Sequence, residues 1–471
     1  MDFGFYDIIL LVLFIIIVSL FLYIKRDNLK REKLFFLYRT KWGIKLINSL
    51  GKKYQKTLKV LSYFSIILGY ILMIGMAYLF GKMVWIYAFN ADLVRAIKVP
   101  PVIPLIPYLP KIFNLDFLPP FYFTYWIIIL AIIAITHEFF HGIFAVYNHI
   151  KIKTTGFGFF PFFLPVLLAA FVELDEKKMN KKSKFSQMAV LSAGTFANIL
   201  TAIFFLFVLW IFFFLTFAPS GIIFNDYSYS VVPVASITMI NNISVSNPSA
   251  DEITSLMKND SFNYIEAGGI RYSGIKAFSN DNRQVALYDD APAINYNLSA
   301  IILEVNGKKV TSTETFKNEL AKYSPGEKIL LKTKGNGIKE TEVILGKNPE
   351  NKNIPFLGIA FVNTASDSFT KKILSIFLSF RNPNIYYESK FGEIGLFVYN
   401  LLWWLILISF SVALVNMLPI GIFDGGKFFY LTMLGITKNA KSAKRIFSFI
   451  SFFLFLLIIL VMFFWILAFT K

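Results

Sequence analysis

The 471 residues of this chain are 56% hydrophobic and only 16% charged, with a mean hydropathy of +0.60, a balance that soluble domains seldom have and that predicts a membrane protein. The net charge of +18 does not indicate nucleic acid, because the basic residues cluster beside apolar runs, as at 25–33 and 177–184, where we expect them to meet anionic lipid at the cytoplasmic face. Cysteine is absent, which excludes disulfides, thiolate metal sites and a cysteine nucleophile, so any metal must bind His, Asp or Glu.

Residues 1–118 are predicted to contain two membrane-spanning helices. The first covers about residues 5–24; Asp2 and Asp7 precede or begin it, and Lys25 and Arg26 follow it. This charge order is the reverse of a signal peptide's, so we predict a retained helix with an outer N-terminus. A basic cytoplasmic linker, a second helix over about 60–80 and a proline-rich outer loop follow.

Residues 119–222 are predicted to form the first part of a membrane core. A third span, about 121–146, runs inward, and a fourth, about 188–217, runs outward. Between them, residues 156–170 are apolar but contain Pro161 and Pro165, so they are too short and interrupted for a helix of about 20 apolar residues. We predict a re-entrant segment that lines a cavity or is buried in protein; a loop tucked into the protein is the alternative.

Residues 223–368 are predicted to be an extracytoplasmic domain, because their composition becomes polar with alternating apolar positions. Residues 301–305 predict a strand, Asn306-Gly307 a turn, and Thr311 with Glu314 a capping box that opens a helix. Turns at Pro325-Gly326 and at 335–337 separate two further strands. A small mixed α/β module is the expected fold.

Residues 369–471 are predicted to complete the core with a fifth span, about 395–415, and a sixth, about 446–469. The expected fold is therefore an α-helical polytopic membrane protein, with about six transmembrane helices, one re-entrant segment and an inserted α/β domain. Lysines and an arginine between 371 and 390 fall on the predicted outer side, although Lys and Arg are usually more frequent on the cytoplasmic side.

The sequence HEFFH at residues 137–141 lies inside the third span, in a chain with three histidines. On a helix, His137 and His141 share one face and can bind one metal ion, with Glu138 beside them as a base for water. Ionisable residues inside a span are costly and usually functional. The alternatives are a polar cluster that joins helices and the proton path of a transporter. His149, in a polar stretch, is predicted to be an ordinary surface residue.

A catalytic zinc site needs a third protein ligand besides an open position for water. The acidic candidates beside the spans are Glu173, Asp175, Glu176, Glu388, Glu393 and Asp424. Asp424 follows a segment in which Pro419 interrupts the helix, and Gly425-Gly426 would allow a close backbone approach to a metal. A turn with a capping Asp is the alternative. Because the third and fifth spans both run inward, both motifs are predicted to lie toward the cytoplasmic half of the membrane.

These motifs resemble those of the site-2 protease family of intramembrane metalloproteases. The resemblance implies that His137, His141 and Asp424 bind one Zn²⁺ per chain and that Glu138 is the general base. The family motif Asn-x-x-Pro-x-x-x-x-Asp-Gly begins here at Asn416. Gly194 to Asn198 resembles the family's Gly-x-x-x-Asn element, which implies that Asn198 lies near the active site; a small-residue packing seam is the alternative for Gly194.

The same resemblance implies hydrolysis of peptide bonds in or near the transmembrane segments of single-span membrane proteins, as in regulated intramembrane proteolysis. Residues 156–168 resemble the family's membrane-embedded hairpin, and the inserted domain resembles a PDZ module, although residues 241–288 are longer and richer in Asn and Ser than such a module needs. The two N-terminal helices lie outside the shared core.

Two other functions remain open from the sequence. One is a different membrane zinc protease, such as a prenyl-protein or housekeeping protease, which would use Glu388 or Glu393 as third ligand. The other is a transporter or an inactive scaffold. The substrate, any need for prior cleavage and the oligomeric state are not determined by the sequence.

Overall fold

The computed structural model of the chain describes residues 3–32, 35–90, 93–95, 99–103, 105–113, 115, 118–159, 168–258, 263–279, 281–349, 351–362 and 381–467. The chain divides into two compact units, which we call the membrane unit (Met1–Phe212 with Phe397–Lys471) and the sheet unit (Phe213–Leu396). The predicted inserted domain falls within the sheet unit, and its limits stay a prediction.

The helices follow one another in this order: α1 (Phe3–Ile24), α2 (Ile44–Lys53), α3 (Gln55–Phe89), α4 (Leu109–Ile112), α5 (Phe123–Tyr147), α6 (Glu176–Asn180), α7 (Lys184–Thr216), α8 (Ala250–Ser255), α9 (Pro292–Asn295), α10 (Thr313–Leu320), α11 (Gly392–Asn416), α12 (Asp424–Thr437) and α13 (Ala440–Leu467). Within the described residues, six of them (α1, α3, α5, α7, α11 and α13) are long and apolar enough to cross a membrane. The predicted number of membrane-spanning helices is thereby confirmed by length and composition.

The strands are β1 (Leu29–Glu32), β2 (Phe35–Thr40), β3 (Ile152–Phe159), β4 (Leu168–Leu174), β5 (Phe217–Ile223), β6 (Asp226–Tyr227), β7 (Tyr229–Pro233), β8 (Ile237–Ile240), β9 (Ile243–Ser244), β10 (Ile265–Ala267), β11 (Ile270–Phe278), β12 (Gln284–Asp289), β13 (Ile301–Val305), β14 (Lys308–Lys309), β15 (Lys328–Lys334), β16 (Ile338–Ile344), β17 (Gly346–Lys347), β18 (Pro355–Phe356), β19 (Ile359–Ala360) and β20 (Ile385–Ser389). All pairings between them are antiparallel.

The membrane unit contains an antiparallel sheet in the order β1-β2-β3-β4. Tyr38 on β2 lies opposite Phe157 on β3, and Gly156 lies opposite Phe171 on β4. A side chain at 156 would meet the carbonyl oxygen of Tyr38 at 2.1 Å, so only glycine permits this pairing. The basic linker of the sequence prediction therefore includes two strands and α2, because strands from a distant part of the chain complete the sheet.

The predicted re-entrant segment is described only at its two ends, which belong to β3 and β4. Residues 160–167, including Pro161 and Pro165, lie outside the described residues. A membrane-embedded hairpin here stays a prediction.

The sheet unit contains two larger sheets, with the orders β7-β12-β11-β10-β8-β9 and β16-β15-β13-β5-β20 among the described residues; β14 pairs with β13. Each sheet has its own aliphatic core, represented by Ile240 and Leu287 in the first and by Ile302 and Leu331 in the second. The Asn- and Ser-rich region 241–288, whose fold the sequence left open, supplies β9 to most of β12 and α8. The PDZ resemblance stays a prediction.

The capping box of α10 begins one residue later than predicted. Ser312, rather than Thr311, is the N-cap, and its hydroxyl accepts a hydrogen bond from the backbone N–H of Thr315. The Thr315 hydroxyl in turn accepts from the Ser312 N–H. Thr315 therefore replaces Glu314 as the reciprocal partner, because its short side chain reaches the same donor.

Candidate metal centre

Two helices bring three potential metal ligands together in the membrane unit. His137 and His141 lie one turn apart on α5, and their Nε2 atoms are 3.0 Å apart. Asp424 is the first residue of α12, and its Oδ2 lies 3.3 Å from Nε2 of His137 and 3.2 Å from Nε2 of His141. Two imidazole nitrogens and a carboxylate oxygen thus converge on one point.

The size and chemistry of this triangle fit a zinc ion. Nitrogen and carboxylate ligands about 2.0–2.1 Å from a tetrahedral Zn²⁺ lie about 3.3 Å from one another. The observed separations of 3.0 to 3.3 Å are close to that value. Three electron-rich atoms this close together are stabilised by a cation between them. Among the described residues, this trio is the group of His, Asp and Glu side chains that can hold a metal.

The helix α7 orients both imidazoles. Nδ1 of His141 lies 2.7 Å from the carbonyl oxygen of Val190 and donates to it, which leaves Nε2 free for a metal. Nδ1 of His137 lies 3.1 Å from the side-chain amide of Asn198. A rotation of this amide by 180° exchanges its nitrogen and its oxygen. In that orientation the oxygen accepts a hydrogen bond from the Nδ1–H group of His137. Asn198 is fully buried, and in the described structure its oxygen otherwise lacks a hydrogen-bond partner.

Because residue 194 is glycine, α7 can pack directly against the imidazoles of His137 and His141. A Cβ at this position would lie 2.4 Å from Nε2 of His141 and 2.5 Å from Nε2 of His137. Every other residue would therefore displace the imidazoles. The contact with the two imidazoles explains why residue 194 is glycine, whereas a packing seam does not require it.

Gly425 and Gly426 lie against the backbone of the segment that precedes them. A Cβ at Gly425 would meet the backbone of Met417 at 2.3 Å, and one at Gly426 would meet the carbonyl oxygen of Ile420 at 2.3 Å. Seven residues join α11 to α12, and the start of α12 packs on this turn. These contacts explain both glycines, and the predicted approach of their backbone to a metal stays a prediction.

The remaining residues of the Asp424 motif shape the same turn. Asn416 is the last residue of α11 and is half-buried. Pro419 is buried within the turn, and its carbonyl oxygen accepts a hydrogen bond of 2.7 Å from the Ser451 hydroxyl on α13. Because proline cannot continue a helix, this segment ends α11 and allows Asp424 to begin a new helix beside the histidines.

Glu138 is held by a backbone group that the sequence could not reveal. Its Oε2 accepts a hydrogen bond of 2.8 Å from the N–H of Val172 on β4. In the described part of the sheet, β4 is the terminal strand, so this N–H belongs to its unpaired edge. Every residue except proline has a backbone N–H, so the sequence could not single out Val172 as a donor. It is the sheet that brings Val172 close to α5.

A cavity of about 1040 Å³ reaches Glu138, His141 and Asp424. Its other lining includes charged side chains: Arg39, Lys153, Glu173, Asp175, Glu176, Lys177 and Lys427. A polar lining of this kind is compatible with water beside the metal centre. The cavity therefore leaves room for water beside the three side chains.

The three acidic candidates that follow β3 have other partners. Glu173 lies 3.2 Å from Nε of Arg39, and the hydroxyl of Thr154, followed by Arg39, lowers the pKa of its carboxyl. Asp175 caps α6 by accepting from the Lys178 N–H. Glu176 lies 3.3 Å from Nζ of Lys427. All three line or border the cavity, and none belongs to the ligand triangle.

The two later candidates belong to the sheet unit. Glu388 is on β20, where its carboxylate lies 3.4 Å from Nζ of Lys334. Glu393 is in the first turn of α11. His149, predicted to be a surface residue, is exposed.

Asp7, noted in the sequence only for its charge, caps the helix that carries the histidines. Its buried carboxylate accepts from the backbone N–H groups of Phe123 (2.7 Å) and Thr124 (2.9 Å), and also from the hydroxyls of Thr124 and Tyr108. A negative charge at this end of α5 satisfies free N–H groups and complements the helix dipole. An acidic residue inside an apolar run was the available signal.

Comparison with curated proteins gives no match. The sequence profile of peptidase family M50 matches residues 125–459. The matched region contains the three residues of the triangle and Glu138, whereas α1 to α4 precede it. The match covers most of the chain, and the resemblance inferred from the motifs is confirmed: the chain belongs to peptidase family M50, the site-2 protease family.

Proposed function

We propose that the protein is an intramembrane zinc metalloprotease of the site-2 type, which hydrolyses peptide bonds in or near the transmembrane segments of single-span membrane proteins. Family M50 is a family of membrane metalloproteases, and the apolar helices support a multi-pass membrane protein. The observation that carries the proposal is the triangle of His137, His141 and Asp424 with Glu138 beside it.

The proposed chemistry divides between the ligands and the base. His137, His141 and Asp424 would hold the ion, which when bound supplies a Lewis acid that polarises the scissile carbonyl and acidifies water. Glu138 accepts the proton of the attacking water and delivers it to the leaving amine. The bond from Val172 to Oε2 keeps the carboxylate oriented and leaves Oε1 for the water.

We further propose that substrate binds along the unpaired edge of β4. A helical amide is shielded by its own hydrogen bonds, so a transmembrane substrate must be extended before it is cut. An extended peptide that adds to β4 by strand pairing would pass Glu138. The reason is that Val172 lies on this edge and its N–H donates to Glu138.

The proposed orientation follows from the distribution of charge. The metal centre lies toward the cytoplasmic half of the membrane, where anionic lipid meets the basic segments. The sheet unit is extracytoplasmic and PDZ-like, and it acts as a size filter or a regulator of substrate access.

Zinc content and cleavage of a single-span test substrate by the purified full chain test this proposal. We expect Glu138→Gln to retain zinc and to lose activity by about 100- to 10,000-fold, because it removes the base and spares the ligands. Asp424→Ala should lose zinc. Glu388→Ala and Glu393→Ala are the matched controls and should retain it.

Each alternative predicts a different outcome. Normal cleavage by Glu138→Gln would show that the assigned base is wrong. Loss of zinc in Glu388→Ala or Glu393→Ala, with retention in Asp424→Ala, would favour a different class of membrane zinc protease. An intact substrate with folded, zinc-loaded protein would favour a transporter or a scaffold.

A further inference from the structure

The segment that contains α2 carries a basic surface. Residues 41–59 contain lysines and no acidic residue. The lysines are Lys41, Lys45, Lys52, Lys53, Lys56 and Lys59, all exposed. Beside them, Trp42, Leu46 and Tyr54 are 71%, 55% and 46% exposed. We call these nine residues the α2 surface.

Chain connectivity places the α2 surface at a membrane boundary. The helix α2 ends at Lys53, and the membrane-spanning α3 begins at Gln55, so Tyr54 alone separates them. Helices with a basic polar face and bulky apolar residues lie in the membrane interface. Trp and Tyr favour that depth, and each lysine near an anionic surface attracts its headgroups.

The opposite face of α2 packs against the helix that carries the metal ligands. Ile47 is 2% exposed, and a Cβ at Gly142, the residue after His141, would lie 3.0 Å from its side chain. A Cβ at Gly51 would lie 2.7 Å from the side chain of Val146. These glycines let the two helices pack in direct contact, so a movement of α2 changes the packing of α5.

A hydrogen bond also ties this segment to the sheet that borders the metal centre. The carbonyl oxygen of Trp42 accepts a bond of 2.7 Å from the hydroxyl of Thr155 on β3. The α2 surface is therefore connected to α5 on one side and, through β3 and β4, to the strand that holds Glu138.

From these contacts we propose that the α2 surface binds anionic phospholipid headgroups, and that this binding activates the metal centre by holding α2 against α5. The charge of the surface selects anionic lipid, and its exposed Trp and Leu distinguish a membrane from an acidic soluble partner. The lipid binding stands by itself, whereas the activation rests on the proposed proteolytic function.

Fluorescence quenching tests the binding. Because the chain lacks cysteine, Leu46→Cys provides a single position for an environment-sensitive label. The labelled full chain is reconstituted in phosphatidylcholine vesicles that contain equal mole fractions of brominated phosphatidylglycerol or brominated phosphatidylcholine. We expect quenching by the anionic lipid to be at least about 2-fold stronger. Equal quenching by the two lipids would overturn the proposal.

A variant that lacks three of the lysines, together with a matched control, tests whether the α2 surface causes the preference for anionic lipid. The variant Lys45→Gln/Lys52→Gln/Lys53→Gln should lose the preference for the anionic lipid. The control Lys328→Gln/Lys339→Gln/Lys347→Gln changes three exposed lysines of the sheet unit and should keep it. Loss of the preference in both variants would show a general charge effect and overturn the assignment to α2.

Cleavage of the test substrate in vesicles with and without phosphatidylglycerol tests the activation. We expect kcat/KM to rise by roughly 3- to 10-fold with the anionic lipid, and the rise should vanish in the α2 variant and persist in the control. Equal rates in both vesicles, with lipid selectivity intact, would overturn the activation alone. If cleavage is absent in both vesicles, the proposed function fails and the activation fails with it, while quenching still decides the lipid binding.

Discussion

In the membrane unit, buried polar side chains join helices in addition to apolar clusters, whereas aliphatic side chains form the cores of the sheet unit. Asp7 connects α1 to the start of α5. The Ser192 hydroxyl donates to that of Ser65 and joins α7 to α3. In the sheet unit, by contrast, the fully buried Ile240 and Leu287 represent cores built mainly from Ile, Leu and Val.

This difference has a physical cause. Helices in lipid are apolar all round, so apolar contact alone does not select which faces meet, and polar pairs and small residues must do so. A sheet with one face in water buries its alternate apolar residues, and the hydrophobic effect selects the packing. The membrane unit should therefore respond most to changes of single polar groups and glycines, and the sheet unit to loss of apolar volume.

Gly194→Ala should have the largest effect on the metal centre. The added Cβ would overlap both imidazoles, so we expect zinc affinity to fall by about 100-fold, measured by competition with a chelator. Gly75→Ala on α3 is the control, because a Cβ there meets nothing within 4 Å. Equal zinc affinity in the two variants would show that zinc binding does not depend on the space that Gly194 leaves for the imidazoles.

Asp7→Ala should have a smaller effect on the same unit. It leaves the N–H groups of Phe123 and Thr124 without their acceptor, so we expect a loss of about 2 kcal/mol in the free energy of unfolding, measured in detergent. Asp7→Asn keeps one acceptor oxygen and should lose less. The control is Asp27→Ala, whose side chain is 94% exposed; a loss as large as that of Asp7→Ala would rule out the cap as the cause.

Leu287→Ala should have the smallest effect on the metal centre, although it removes a fully buried side chain. We expect the sheet unit to lose about 2–5 kcal/mol of stability, measured by hydrogen exchange in residues 213–396, with zinc content unchanged. Leu330→Ala, at an exposed position of β15, is the control and should change little. Loss of zinc in Leu287→Ala would contradict the separate stabilisation of the two units.

The sequence by itself determined the number of candidate membrane-spanning helices and pointed to the three candidate metal ligands. A span is a run of about 20 apolar residues, and the pair at 137 and 141 follows from helix periodicity, so both are local properties. Asp424 needed a family motif as well, because proline and glycine near an acid also describe an ordinary turn.

Only the tertiary structure decided what surrounds those ligands. The clearance at Gly194, the bond from Val172 to Glu138 and the cap by Asp7 join residues far apart in the chain, and two of them use backbone groups that every residue type shares. The same holds for β1 and β2, which become part of a sheet only because β3 lies beside them. Contacts of this kind depend on which faces meet in space, and the periodicity of one segment does not contain that information.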